Sequence, residues 1–275
     1  MLHFDLVQSI SLAGNAAVAN DDRAGAGTRL AWVIDGATDL GPPGLMGAQG
    51  GAAWIAAMAE RAFASAPPGA LPEIVGGVFS TLLDGYHRLR AREPLDRWEL
   101  PSAAFLCVAL EDERLDVAWL ADCACLHLRG DGVQRLGPQP NLAETQEAEE
   151  IRAAGLDLLP KRSAPTLERL RRNRARAERR ILGVEPGHAE AVHYDAVVVA
   201  PGDELVLMTD GLAALIDDYG LPADDVAPLL RTEGLHGLAT RLRAIEADDA
   251  ECRRFARFKP SDDATGLWLR IAGAP

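Results

Sequence analysis

Nowhere does the chain offer a run approaching the roughly 18 apolar residues that a membrane span requires, so no membrane partner is expected. The N-terminus, Met1-Leu2-His3-Phe4-Asp5, lacks a basic region leading into an apolar stretch, and no secretory signal is visible. Cationic charge is short: 28 Lys+Arg against 41 Asp+Glu leave a net charge of -13. That argues against a general nucleic-acid binder, which is usually basic. The four cysteines, Cys107, Cys123, Cys125 and Cys252, form no zinc spacing, and Cys123-Ala124-Cys125 is not a CxxC pair. Cys107, Cys123 and Cys125 lie in apolar runs and read as small core residues. Gly47-Ala48-Gln49-Gly50-Gly51 lacks the lysine and the spacing of a Walker motif. No Gly-x-Ser-x-Gly elbow supports a serine hydrolase, the histidines show no metal-ligand spacing, and no internal repeat is visible. A cytoplasmic monomer is the expectation.

What remains is ordinary globular composition, 48% hydrophobic and 25% charged over 275 residues. That length can bury a substantial core. Residues 2–12 and 29–35 read as strands joined by a small-residue loop. Apolar residues then recur at helical steps over 44–66 and 71–92. Two apolar runs, 103–110 and 115–128, flank Glu111-Asp112-Glu113-Arg114 as a hairpin signal. Residues 137–187 are charged and arginine-rich and read as surface helical segments. Strands resume at 191–199 and 204–208, helices follow at about 222–231 and 235–247, and a last strand runs 263–271. Strands grouped at both ends with helices inserted in pairs indicate an α+β sandwich.

Three acidic turns stand out. Asp35-Gly36 follows Trp32-Val33-Ile34, Asp210-Gly211 follows Leu205-Val206-Leu207-Met208-Thr209, and Asp262-Asp263 precedes Ala264-Thr265-Gly266-Leu267. Each places a carboxylate at the edge of a buried strand, where it is costly without a cationic partner. Glycine allows a sharp turn and a close carbonyl. Each turn taken alone is also read as a plain strand-ending turn or a helix cap. Together they would form an oxygen-rich pocket suited to Mg²⁺ or Mn²⁺.

Asn20-Asp21-Asp22, Val33-Ile34-Asp35-Gly36, Leu207-Met208-Thr209-Asp210-Gly211-Leu212 and Asp262-Asp263-Ala264-Thr265 resemble, in this order, the motifs of the metal-dependent serine/threonine protein phosphatases (PPM, type 2C). The resemblance spans nearly the whole chain. It implies a single domain over 1–275, with two packed antiparallel β-sheets flanked by paired helices in four layers and a variable helical flap at about 138–187. It further implies that Asp35 bridges two metals with the Gly36 carbonyl as a further ligand. Asp210 and Asp262 would hold one metal, and Asp22 the other, directly or through water. Asp21 stands as an acidic neighbour, and Asp122 with Asp210 would shape a third site. Asp35, Asp210 and Asp262 are the catalytic residues on this reading. A hydroxide bridging two divalent metals would hydrolyse phosphoserine or phosphothreonine in proteins.

Ala17 stands where many members carry a phosphate-contacting arginine, Ala37 where many have histidine, and Ala121 where the hairpin glycine is common. Arg171, Arg172 and Arg174 are therefore candidates for the missing phosphate contact, against the plainer reading of a solvated face paired to Glu168 and Glu178. The same departures leave two alternatives open: a phosphatase of a small phosphoester, or a non-catalytic interaction domain on this fold.

Overall fold

The computed structural model describes residues 1–140, 149, 150, 153 and 163–273. Strands β1 (Leu2–Leu12), β2 (Arg23–Ala26) and β3 (Leu30–Gly36) open the chain, followed by helices α1 (Gly51–Ala64) and α2 (Leu71–Leu89). Strands β4 (Ser102–Glu111), β5 (Arg114–Leu120), β6 (Ala124–Arg129) and β7 (Gly132–Leu136) come next. Helix α3 (Ala164–Arg174), β8 (Leu182–Gly183), β9 (His193–Val198), β10 (Glu204–Met208), α4 (Asp210–Asp217), α5 (Ala223–Asp248) and β11 (Ala264–Gly273) complete it. One sheet runs β1-β11-β10-β6-β7. The other runs β2-β3-β4-β5-β9, with β8 added to the start of β4. Every strand pair is antiparallel. The α+β four-layer expectation is met.

Side-chain alternation explains the layers. Along β3, Ala31 and Val33 point between the sheets, whereas Trp32 and Ile34 point outward under α1 and α2. Along β10, Leu205 and Leu207 join the inter-sheet core, whereas Val206 and Met208 pack under α4 and α5. Both faces of these strands are covered, so they read as continuous apolar runs. Burying four such side chains in β10 contributes about 6–12 kcal/mol before conformational entropy is charged against it. That gross gain exceeds the several kcal/mol needed to hold a carboxylate at the strand's end.

The structure departs from the sequence reading in several places, among them the helix α4 that follows β10. The run 115–128 is two strands in different sheets, because Ala121 adopts φ 64° and the chain crosses from one sheet to the other there. The small-residue loop contains β2, which pairs with β3. Strand β7 was not expected. Helix α1 starts at Gly51, later than residue 44, because Gly44, Gly47 and Gly50 take positive φ. The two C-terminal helices meet at a kink at Gly234 (φ 69°). Of the expected flap, α3 and β8 are seen as described, and residues 141–148, 151, 152 and 154–162 lie outside the described part.

Candidate metal centre

Five strand ends gather at one edge of the sandwich. Asp35 closes β3 and Asp122 sits in the β5–β6 crossover. Asp210 follows β10, Asp262 precedes β11, and Asp22 precedes β2. Carboxylate oxygens of Asp35, Asp122 and Asp210 lie within 4.8 Å of one another. Asp35, Asp122, Asp210 and Asp262 line a cleft of about 340 Å³, together with Gly36, Ala37 and Thr38. Asp22 is 2% exposed beneath it.

The two Asp-Gly glycines are needed for close approach, and neither takes a positive φ. A Cβ on Gly36 would come within 2.8 Å of the Asp21 carbonyl oxygen and 2.9 Å of that of Ala52. On Gly211 it would meet the Asp263 carbonyl oxygen at 1.9 Å. Glycine thus lets the 20–22 turn close on the end of β3 and lets α4 begin against the 262–263 turn.

The electrostatics are those of a buried anion cluster in which carboxylates outnumber the one lysine paired to it. Burial first, then Asp22, Asp262 and Asp122, pushes the Asp35 carboxyl well above the usual range. Asp210 is raised likewise, by burial and then by Asp35. Burial also raises Asp22, against the Thr209 hydroxyl, which donates to Asp22 Oδ2 at 2.8 Å. Asp21, half-buried near Asp263 and Asp39, is raised to about 6. Lys259 Nζ pairs with Asp262 Oδ1. An all-oxygen donor set this close fits hard divalent cations of the Mg²⁺ or Mn²⁺ kind.

Thr209 and Lys259 have supporting roles that the sequence reading missed, whereas Asp39 as a cap, His127 as a hydrogen-bonded histidine and Asp263 in an acidic turn agree with it. Thr209 occupies the N-cap position of α4, yet its hydroxyl serves Asp22 and accepts from the Thr265 amide at 3.0 Å. Asp263 accepts from the Gly14 and Asp21 amides at 2.8 and 2.7 Å, tying the 13–22 loop to β11. Asp39 accepts from the Gly51 amide at 2.8 Å at the start of α1, so it caps that helix, and Gly50 and Gly51 leave room for its carboxylate. His127 is buried against Asp203 at 2.8 Å, away from the cluster. Lys259, three positions before Asp262 and one of two lysines with Lys161, carried the clearest missed signal.

The three arginine candidates separate. Arg174 reaches the cleft and donates to the Thr38 carbonyl at 2.6 Å. Arg171 donates to the Leu40 carbonyl at 2.9 Å and stacks 4.2 Å over Trp98, so it pins α3 to the loop. Arg172 is 73% exposed and lies 3.6 Å from Glu168, on the solvent face away from the cleft. Arg179, not among the candidates, lines the cleft instead.

A family model described as protein phosphatase 2C matches residues 18–245. No curated protein matches the chain. Among solved structures, the catalytic domain of the serine/threonine protein phosphatase PstP in complex with two manganese ions aligns with a TM-score of 0.61 at 17% identity, over 99% of this chain and 100% of that one. The Mycobacterium tuberculosis serine/threonine phosphatase PstP/Ppp aligns at 0.59 and 17%, over 99% of each chain. The PPM Ser-Thr phosphatase MsPP from Mycobacterium smegmatis, in complex with cacodylate, aligns at 0.55 and 18%, over 98% of this chain and 99% of that one. At these identities the likeness is one of fold.

Proposed function

We propose a reaction for this chain, which belongs to the protein phosphatase 2C family of metal-dependent phosphatases: hydrolysis of phosphoserine and phosphothreonine monoesters in proteins. The observation that carries the reading is the convergence of Asp35, Asp122 and Asp210 within 4.8 Å, from three distant parts of the chain, at the floor of an open cleft.

Asp35, the Gly36 carbonyl, Asp22, Asp210 and Asp262 are proposed to hold two divalent cations, Mg²⁺ or Mn²⁺, with Asp122 and Asp21 available to a third. Bound there, such ions supply Lewis acidity and a water-derived nucleophile at neutral pH. The chain's own contribution is positional. Thr209 fixes one oxygen of Asp22, and the Asp263 clasp holds the loop that carries Asp21 and Asp22. Lys259 offsets the charge of Asp262. The apolar strand ends beneath exclude water from the floor and strengthen every charge interaction above it.

A second groove of about 370 Å³ favours a protein substrate over a small phosphoester. It shares Asp122, Asp210, Phe258, Lys259 and Asp262 with the cleft and continues along Tyr219 and Phe255, offering room for a residue beside the phosphorylated one. The four buried free thiols accord with the reducing cytoplasm proposed as its location.

The test is Mn²⁺-dependent release of phosphate from a phosphothreonine peptide and from p-nitrophenyl phosphate. Turnover in the wild type, lost in Asp35→Asn and Asp210→Asn, is expected. Metal-loaded wild-type protein that releases none would leave a binding domain as the reading.

A further inference from the structure

We infer that Arg179, together with Arg174, grips the phosphoryl oxygens of the substrate, as the cationic wall facing the carboxylate floor. The inference rests on the phosphatase reading and adds to it the residues that recognise a phosphomonoester dianion.

Both arginines line the cleft that Asp35, Asp122, Asp210 and Asp262 floor. Their positions are fixed by the same short turn that carries Asp35. Arg174, at the end of α3, donates to the carbonyl of Thr38, three residues after Asp35, at 2.6 Å. Arg179 lies three residues before β8, whose Leu182 pairs with Ala103 of β4, and Ala103 pairs in turn with Gly36. Arg97 holds the intervening segment, donating to the Ala177 carbonyl at 3.2 Å and to Glu185 at 2.8 Å. Two guanidinium groups are therefore delivered to one side of the cleft by a framework hydrogen-bonded to its floor.

The charge pattern points the same way. Burial disfavours the charge of Arg179 and draws its guanidinium below the ordinary arginine range, while Asp122 across the cleft favours that charge. A half-buried guanidinium stays protonated and is served best by an acceptor with several oxygens. Asp122 offers one carboxylate, which the floor also needs. A phosphate dianion bound over that floor would offer the remaining oxygens in the planar, two-point geometry that guanidinium matches. Ala17 lies in an exposed loop and supplies no charge, so the flap side of the cleft carries the recognition.

A purely structural Arg179, paired only with Asp122, makes a different prediction: its loss would alter melting temperature or Mn²⁺ affinity and leave substrate affinity alone. The experiment separates the two. Steady-state kinetics on p-nitrophenyl phosphate, inhibition by orthophosphate, and calorimetric titrations of Mn²⁺ and of orthophosphate are measured for wild type, Arg179→Ala, Arg179→Lys and Arg174→Ala, with exposed Arg180→Ala as a charge control. For Arg179→Ala we expect KM and the orthophosphate inhibition constant to rise about 10- to 100-fold, the range for a lost hydrogen bond to a charged group. Mn²⁺ affinity should stay within twofold and Arg180→Ala should match wild type. Arg179→Lys, which keeps the charge but loses the fork, should fall between. Wild-type turnover with KM and orthophosphate inhibition unchanged in Arg179→Ala overturns the inference and leaves the phosphatase reading standing. If the wild type binds Mn²⁺ but turns over nothing, the phosphatase reading fails, and the orthophosphate titration still decides. Weaker binding in Arg179→Ala supports the grip, and equal binding overturns it. Should Arg179→Ala not fold, Arg179→Lys and Arg174→Ala carry the same comparison.

Discussion

Replacing Asp210 with asparagine should abolish metal binding and, in metal-free protein, raise stability. Asp210 lies within 4.8 Å of both Asp35 and Asp122, oxygen to oxygen. Two unit charges at that separation repel by about 3.5 kcal/mol at an effective dielectric near 20. Full ionisation of the trio would thus cost roughly 7 kcal/mol in the two contacts Asp210 makes. The cluster avoids part of this by retaining protons, so a gain of about 1–3 kcal/mol is expected at pH 8, or about 3–10 °C in melting temperature. The amide can still hydrogen-bond Asp35. The sign with pH follows from protons held. Asp22, Asp35 and Asp210 are raised well above the normal carboxylate range and Asp21 to about 6. The unfolded chain releases those protons near pH 4. Above that pH the folded state binds more protons than the unfolded state, so metal-free stability falls as pH rises, through pH 6 for Asp21 and further for the others. Thermal melts in EDTA from pH 5 to 8 test this. The wild type should lose stability steadily and Asp210→Asn less steeply. With Mn²⁺ at 100 times its dissociation constant the wild type regains about 2.7 kcal/mol and the variant almost none. A variant that melts below wild type in EDTA at pH 8, or that shows the same pH slope, refutes the repulsion argument.

Thr209→Val keeps the shape of the side chain but strands the Asp22 carboxylate and the Thr265 amide. It should cost about 1–3 kcal/mol in stability and 10- to 100-fold in Mn²⁺ affinity by calorimetry, and unchanged affinity would show that Thr209 does not orient Asp22. Ala121 sits at φ 64°, so Ala121→Gly should stabilise by about 1 kcal/mol, read as a rise of about 3 °C in melting temperature; a fall would mean the crossover is unstrained.

Much of the fold was legible because its strands are covered on both faces. The runs at 29–35, 103–110 and 204–208 could be found by apolarity alone, and the acidic turns that end two of them and precede β11 could be found from those ends. Apolarity alone hid the break in 115–128, because alanine is an unusual residue for positive φ; only the likeness to the family's hairpin, where glycine is common, marked Ala121. Support from Thr209 was hidden because a threonine between a strand and a helix reads as an ordinary N-cap until Asp22 arrives from 187 positions away. The arginines show the limit most plainly. Arg172 and Arg174 are two residues apart, a rotation of about 200° on a helix, so one faces solvent and the other the cleft. A run rich in arginine does not reveal its helical phase. Arg179 lies beyond the end of α3, where no period applies.

The Ala121–Cys123 crossover places the acidic edge on the seam between two sheets. Asp22 and Asp35 belong to one slab, Asp210 and Asp262 to the other, and Asp122 to the link between them. A cation held by this set would fasten two slabs that otherwise adhere through apolar packing, and its occupancy would then be coupled to their relative sliding. Chelation should therefore quicken amide exchange at the neighbouring ends of β3 and β10 together, and any agent that shears the sandwich should loosen the ion before it unfolds either half.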